Sequence, residues 1–297
     1  MNKFIIFLFG LVLLGTACED RFEQIVTVEI PDHESRIAVN AIFFNGDEEL
    51  SVLVSNSIGI LDTSKFQDFK TADVQLLKAG QSLGSFVYNG DNGLYINELD
   101  DPLGDEEVAY QLEIEEDGFP KASAVQTMPG MPVLGEVTVE RDGAIDDAGD
   151  RVDEVVVEIV DTPGDEAYYA VLAYVSINGN EPYQVYLYSN NPVTLQANRS
   201  QLGLTLSDAS FDGSTYTLNA YSYGLYPYDG GEGLDVDLTI VLVNLTRDTY
   251  LYVRSLDQYY NAQDNPFAEP VTVHSNIEDG YGIFGLGNSV SKTVDLE

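Results

Sequence analysis

The sequence predicts an all-β protein, mainly β-sandwich, and three observations carry that expectation. Apolar segments are short, rich in β-branched and aromatic residues, and separated by clusters of Gly, Asn, Asp and Pro. Several of them alternate apolar and polar residues, the period-two pattern of a strand with one buried and one solvated face. A single stretch carries apolar residues at helical spacing.

Taken in chain order, Ile25 to Ile30 alternates before Pro31, and Ile37 to Phe44 reads as a strand closed by the turn Asn45-Gly46-Asp47. Leu50 to Ser55 and Ala72 to Lys78 follow. Phe86-Val87-Tyr88 and Leu94-Tyr95-Ile96 flank Asn89-Gly90-Asp91-Asn92-Gly93, a strong turn signal. Tyr110 to Glu115 alternates cleanly, and Ser123 to Thr127 completes a set of about seven short strands, the pattern of an immunoglobulin-like sandwich. The stretch Met128-Pro129-Gly130-Met131-Pro132 is the best boundary, since proline removes backbone donors and biases its neighbours to extended geometry. It divides an immunoglobulin-like sandwich over 31–130 from a larger C-terminal β-domain over 131–297.

That second region opens with a strand from Gly135 to Glu140 and an acidic loop from Asp142 to Asp150. Strands are expected at Val155 to Val160, Tyr168 to Val175, Tyr183 to Tyr188, Tyr216 to Tyr223 and Leu238 to Leu245. The spacing of Tyr250, Val253, Leu256, Tyr259 and Tyr260 predicts a short helix over 247–262. Thr246 is its expected N-cap, Asp248 suits the positive end of the helix dipole, and Pro266 lies just beyond the end. The glycines of Gly280 to Gly285 predict a tight, irregular crossing before a final strand, Ser291 to Leu296.

The start of the chain follows the plan of an export signal. Met1-Asn2-Lys3 is short and basic, Phe4 to Leu14 is apolar, and Gly15-Thr16-Ala17 are small residues before Cys18. A membrane-spanning helix needs ~20 apolar residues, so this run is too short to remain as one. Residues 1–17 therefore read as a signal peptide and 18–30 as a tether with the first strand. Leu14-Gly15-Thr16-Ala17-Cys18 resembles the bacterial lipobox, with Gly15 where leucine is usual. Cys18 is the only cysteine, and its sulfur is the atom that lipidation requires. One acyl chain anchors only marginally, so stable attachment takes several. No disulfide is then available, and the body must stand on its apolar core alone.

The chain has 13 Lys and Arg against 50 Asp and Glu, a formal charge of −37. This argues against nucleic acid as a partner, because phosphate binding depends on Lys and Arg. It argues equally against lying flat on an anionic membrane. With 44% hydrophobic residues the chain is not a disordered polyelectrolyte, so the charge reads first as a solvated surface. Attraction of cationic ligands or divalent ions is the sharper alternative.

Chemistry is sparse. His33 and His274 are the only histidines, and no nucleophile elbow, P-loop or H-E-x-x-H motif is present. His274 alternates with Val271 and Val273 in a strand-like segment, which suits a surface or packing role. A noncatalytic protein without cofactor is expected. A carboxylate-based surface hydrolase is the alternative, and it needs two acids across a cleft. The clusters Asp100-Asp101 with Asp105-Glu106-Glu107, and Asp142 with Asp146-Asp147-Asp150, offer hard oxygens to calcium, as in a calcium-stiffened adhesin. Neither matches an EF-hand loop, so solvated turns are favoured. Tyrosines concentrate between Tyr168 and Tyr228. Alternating tyrosines read first as cover for β-sheet faces; Tyr221, Tyr223, Tyr226 and Tyr228 are the candidate ligand or partner contacts, because tyrosine offers large contact area with a polar tip.

Several segments together resemble one family. They are Ile37-Ala38-Val39-Asn40-Ala41, the Gly118-Phe119-Pro120 turn leading to Val125-Gln126-Thr127-Met128-Pro129, and above all Tyr252 to Phe284. The last contains Ser255-Leu256-Asp257, Asn265-Pro266-Phe267-Ala268-Glu269-Pro270 and Ser275-Asn276-Ile277-Glu278-Asp279-Gly280 before Gly282-Ile283-Phe284. The chain so resembles domain-of-unknown-function family 4249, outer-membrane lipoproteins of Bacteroidota, over nearly its whole length after the leader. The resemblance implies a TonB-dependent outer-membrane receptor as partner, with a role in ligand capture or docking, and it supplies no catalytic residues. Glu19-Asp20 after Cys18 look like surface-export signals, which implies display on the cell surface. Peptide, glycan, siderophore and metal chelate all remain open as ligands.

Overall fold

The computed structural model describes residues 33–59, 69–104, 106–164, 166–196, 201–226, 233–263 and 268–296. The expected leader, Cys18, the strand expected over Ile25 to Ile30 and Tyr228 lie outside the described residues.

Among the described residues eight strands precede the Met128–Pro132 stretch: β1 (Ile37–Phe44), β2 (Glu49–Asn56), β3 (Asp73–Lys78), β4 (Gln81–Ser85), β5 (Val87–Asn89), β6 (Leu94–Glu98), β7 (Ala109–Glu115) and β8 (Ala122–Thr127). Strands β4-β3-β7-β8 form one sheet, while β1-β2-β6-β5 lie in another. Alternate residues from both, including Val39 and Phe43 on β1, Val52 on β2, Leu76 on β3 and Leu112 on β7, share one apolar core. This is the sandwich that the alternating segments predict. Strand β4 is the addition; it is the second arm of a hairpin whose turn uses Ala79 and Gly80, both at positive φ.

The later strands are β9 (Val133–Ile145), β10 (Arg151–Val160), β11 (Tyr168–Ile177), β12 (Tyr183–Val185), β13 (Leu195–Gln196), β14 (Leu204–Ser207), β15 (Thr215–Ser222), β16 (Val236–Leu245) and β17 (Tyr281–Asp295). The helix α1 (Arg247–Gln263) stands where its spacing predicts. Strands β15-β10-β9 make a three-stranded sheet, and β13-β14-β11-β16-β17-β1-β2-β6-β5 run in order through a ten-stranded one, with β12 on β11. A second core joins the two through Val155, Val157 and Ile159 on β10, Val171 and Val175 on β11, and Leu238 and Ile240 on β16. The opposite faces of β11 and β16 carry Ala170, Leu172, Val243 and Leu245, which pack with Val253 of α1. Both faces are covered, which is why these two strands read as continuous apolar runs.

Two expectations are corrected here. The acidic segment after Glu140 is strand as far as Ile145: Asp142, at φ +54, irregularly continues β9 opposite Asp153, whose carboxylate accepts the Asp142 N–H at 3.2 Å. The glycine-rich crossing and the final strand are one element, β17. Its first part pairs parallel with β1 from Ala38↔Tyr281 to Phe44↔Gly287, and its second antiparallel with β16 from Leu245↔Gly287 to Asp237↔Asp295.

The glycines serve close approach. Gly282 has φ +105, and a Cβ built there would lie 1.8 Å from the Val39 carbonyl oxygen. A Cβ at Gly285 would meet the Thr249 hydroxyl of α1 at 2.4 Å. Ahead of the strand, the Asn276 side chain donates to the Phe284 carbonyl at 2.7 Å and accepts its N–H at 3.0 Å. Ile277, Phe284 and Leu286 complete the core of the first sandwich. The proline-rich stretch is itself docked: Asn288 donates to the Pro129 carbonyl and Asn244 to that of Gly130, both at 3.0 Å.

Candidate functional site

On β15 the residues Leu218, Ala220 and Ser222 are buried, which turns Tyr221 to the outer face of the three-stranded sheet. Tyr221 lies opposite Glu154 on β10, and Glu154 lies opposite Glu140 on β9. From the free edge of β15, Tyr188 exchanges two backbone hydrogen bonds of 2.8 Å with Tyr221. Three rings meet there. Tyr188 and Tyr221 stack with centroids 5.7 Å apart, and Tyr223 stands edgewise to them at 5.3 and 5.9 Å. Offset and edge-to-face arrangements of this kind fix ring orientation. Tyr223 nevertheless keeps 60% of its surface exposed.

The hairpin joining β9 to β10 supplies the polar part. The Tyr223 hydroxyl donates to Asp146, 77 residues away in sequence, at 2.9 Å. That bond, with the carboxylate charge beside it, pushes the Tyr223 hydroxyl up to about 12, so it stays a neutral donor. Asp146 is held below the usual carboxylate range by the Asp150 backbone N–H first and by Tyr223 second. The acidic turn is thus closed by its own backbone.

Of the four tyrosines singled out by sequence, Tyr221 and Tyr223 join one cluster. Tyr226 makes a different contact, with the Arg141 guanidinium 4.6 Å above its ring, and Tyr228 lies outside the described residues. Tyr188 was not singled out. Its only signal was the tyrosine alternation from Tyr183, of which just Tyr183–Val185 is strand.

A second feature is a cleft of about 340 Å³ beside the β1·β17 pairing, lined by Val39, Leu53, Tyr252, Val273, His274 and Tyr281 among others. His274 is not in a strand, contrary to its alternation with Val271 and Val273. Its backbone N–H is held by the Ser255 hydroxyl at 2.8 Å, and its Nε2 lies 2.8 Å from Asp248 at the start of α1. Burial acts against the Asp248 charge, but bonds from Gln126 and His274 hold its carboxyl below the ordinary range. Thr246 holds the expected N-cap position, its carbonyl accepting the Tyr250 N–H, while its hydroxyl pairs with that of Thr249 at 2.7 Å. Among the described residues no carboxylate lines this cleft.

Carboxylates close enough to share one ion occur, among the described residues, as Asp161, Asp208 and Asp212 and as Asp235, Asp237 and Asp295. The loop acids Asp142, Asp146, Asp147 and Asp150 form no such group there. In the first trio each carboxylate already accepts a backbone N–H, from Gly213, Ala167 and Gly164 respectively, and Asp161 also accepts the Tyr169 hydroxyl at 2.5 Å.

No curated protein matches the chain in sequence. Among solved structures, an α-L-rhamnosidase from Aspergillus terreus is 16% identical over 71% of this chain and 27% of its own, with a TM-score of 0.29. A Salmonella alpha-2-macroglobulin variant is 12% identical over 90% of this chain and 15% of its own, with a TM-score of 0.22. The chain thus spans about a quarter or less of these two proteins. A yeast delta-COP-I mu-homology domain is 11% identical over 89% and 97%, with a TM-score of 0.20. The family described as domain of unknown function (DUF4249) matches residues 23–293, so nearly every element described above falls inside it, and the chain belongs to that family.

Proposed function

We propose that this protein is a noncatalytic lipoprotein, anchored through Cys18 and displayed on the outer membrane, that docks with a TonB-dependent importer and helps it capture ligand. The observation that carries this reading is the tyrosine cluster Tyr188–Tyr221–Tyr223 on the outer face of the three-stranded sheet. Stacked tyrosines kept in solvent on a rigid sheet are contact area prepared in advance, at low entropic cost on binding. The sequence resemblance that implies such a receptor as partner supports this reading, and the lipobox-like segment ending in Cys18 offers a means of attachment. Strong negative charge agrees with a partner that is protein and not nucleic acid. Affinity isolation of the Cys18-anchored protein from outer membranes is expected to recover a TonB-dependent receptor in stoichiometric amount. Recovery of the lipoprotein alone removes the proposal.

A further inference from the structure

Like charges directly opposite on neighbouring strands destabilise a sheet. Four such pairs occur among the described strand pairings, Asp73 with Glu115, Glu49 with Glu98, Asp237 with Asp295 and Glu140 with Glu154, and what sets the last apart is the tyrosine beside it. Asp73 on β3 faces Glu115 on β7, and there Lys121 lies 2.9 Å from both Glu113 and Glu115. Glu154 faces Glu140 on the outer face of the three-stranded sheet, in register with Tyr221. Among the described residues no ion pair reaches Glu140 or Glu154, nor Asp146 or Asp147 in the adjoining hairpin. The face therefore sets three touching tyrosine rings beside four carboxylates that, among the described residues, no cation pairs with. The nearby Arg141 is engaged elsewhere, over Tyr226.

A guanidinium fits this surface in two ways at once. Its plane stacks on an aromatic face, and its fork of donors reaches a carboxylate. An ammonium offers charge without the plane. We propose that the outer face of the β15-β10-β9 sheet, with Tyr221, Tyr223, Glu140, Glu154 and Asp146 at its centre, binds an arginine-bearing polypeptide segment of the protein's partner. This rests on the docking function proposed above and names the chemistry of the partner surface. The Arg141–Tyr226 stack, formed at the end of the same sheet, is an intramolecular instance of the contact.

The test is fluorescence anisotropy with the purified lipoprotein in detergent and a labelled peptide of alternating arginine and glycine. The matched peptide carries citrulline, which keeps the planar shape and removes the charge. The arginine peptide is expected to bind, more weakly as salt rises, and the citrulline peptide to lose most of the affinity. The double variant E140Q/E154Q is expected to raise Kd roughly five- to tenfold, from two exposed charge contacts. Tyr223→Leu is expected to raise it several-fold while Tyr223→Phe, which keeps the ring, changes it little. Asp100→Asn/Asp101→Asn, on an exposed turn of the other sandwich, controls for the net charge. An equal loss in that control, or equal binding of the citrulline peptide, overturns the proposal.

Receptor isolation from outer membranes separates the two readings. If wild type and E140Q/E154Q recover the receptor equally, this surface is not the docking face, and the proposed function stands without it. If wild type recovers no receptor yet binds the arginine peptide as described, the importer reading fails and the arginine surface remains.

Discussion

Gly282→Ala is the substitution with the sharpest structural consequence. Strand β17 passes β1 at Val39↔Gly282, and the added methyl would sit 1.8 Å from the Val39 carbonyl oxygen. Real Cβ atoms do not approach within 3.0 Å, so one strand must move by more than an ångström or the pairing must open. Overpacking of this kind costs about 1–3 kcal/mol. The φ of +105 adds strain of about 1 kcal/mol for any residue with a Cβ. Gly118→Ala isolates the second part, because Gly118 has φ +87 with nothing within 4 Å of a built Cβ. The difference between the two variants is then about 1–3 kcal/mol, a sizeable share of a typical domain's stability. With no tryptophan in the chain, far-UV circular dichroism in urea is the suitable assay. At an m of ~3 kcal/mol/M, Gly282→Ala is expected to unfold roughly 0.3–1 M below Gly118→Ala. Coincident midpoints would refute the close strand passage, and with it the junction of the two sandwiches.

Other substitutions test neighbouring parts of the argument. Asn276→Ala removes both side-chain bonds to Phe284 and is expected to cost about 1–3 kcal/mol, with faster hydrogen exchange at the Phe284 amide. An exchange rate unchanged from wild type contradicts the clamp. Burial holds the Asp208 carboxyl above its ordinary range, with Asp161, Asp212 and Glu166 adding to the effect. The folded state then holds that proton more readily than the unfolded one, so stability falls as pH rises from about 4. Asp208→Asn keeps an oxygen for the Ala167 N–H and is expected to raise Tm at pH 7 more than at pH 4; the opposite order refutes the assignment. Cys18→Ala is expected to abolish palmitate labelling, and a labelled variant would end the lipid-anchor reading.

Much of the fold was legible because burial here follows simple periods. Tyr110 to Glu115 and Ile37 to Phe44 alternate, and both are strands with alternate residues buried. The helix was visible from Tyr250 and Val253, which are its buried residues together with Thr249. What misled was glycine. In Gly280 to Gly285 it looks like a chain interruption, yet here it lets two backbones pass within contact distance. His274 misled in the other direction: alternation with two valines suggested a strand, while its position is set by Ser255 and Asp248 on a helix far back in the chain.

The same division runs through the candidate site. Local composition was enough to offer Tyr221 and Tyr223 as candidate contacts; that Tyr221 faces outward follows from the burial of Leu218, Ala220 and Ser222 along β15. It was enough to separate an acidic body from the apolar run Phe4 to Leu14 that precedes Cys18. Tertiary structure alone decided which tyrosines touch, because Tyr188 reaches Tyr221 across a strand edge and Asp146 reaches Tyr223 from another hairpin. It also decided that Glu154 faces Glu140, a consequence of register that no local pattern encodes. The physical reason is common to all of these: period and polarity act within a few residues, whereas charge neighbours are chosen by strand pairing across the sheet.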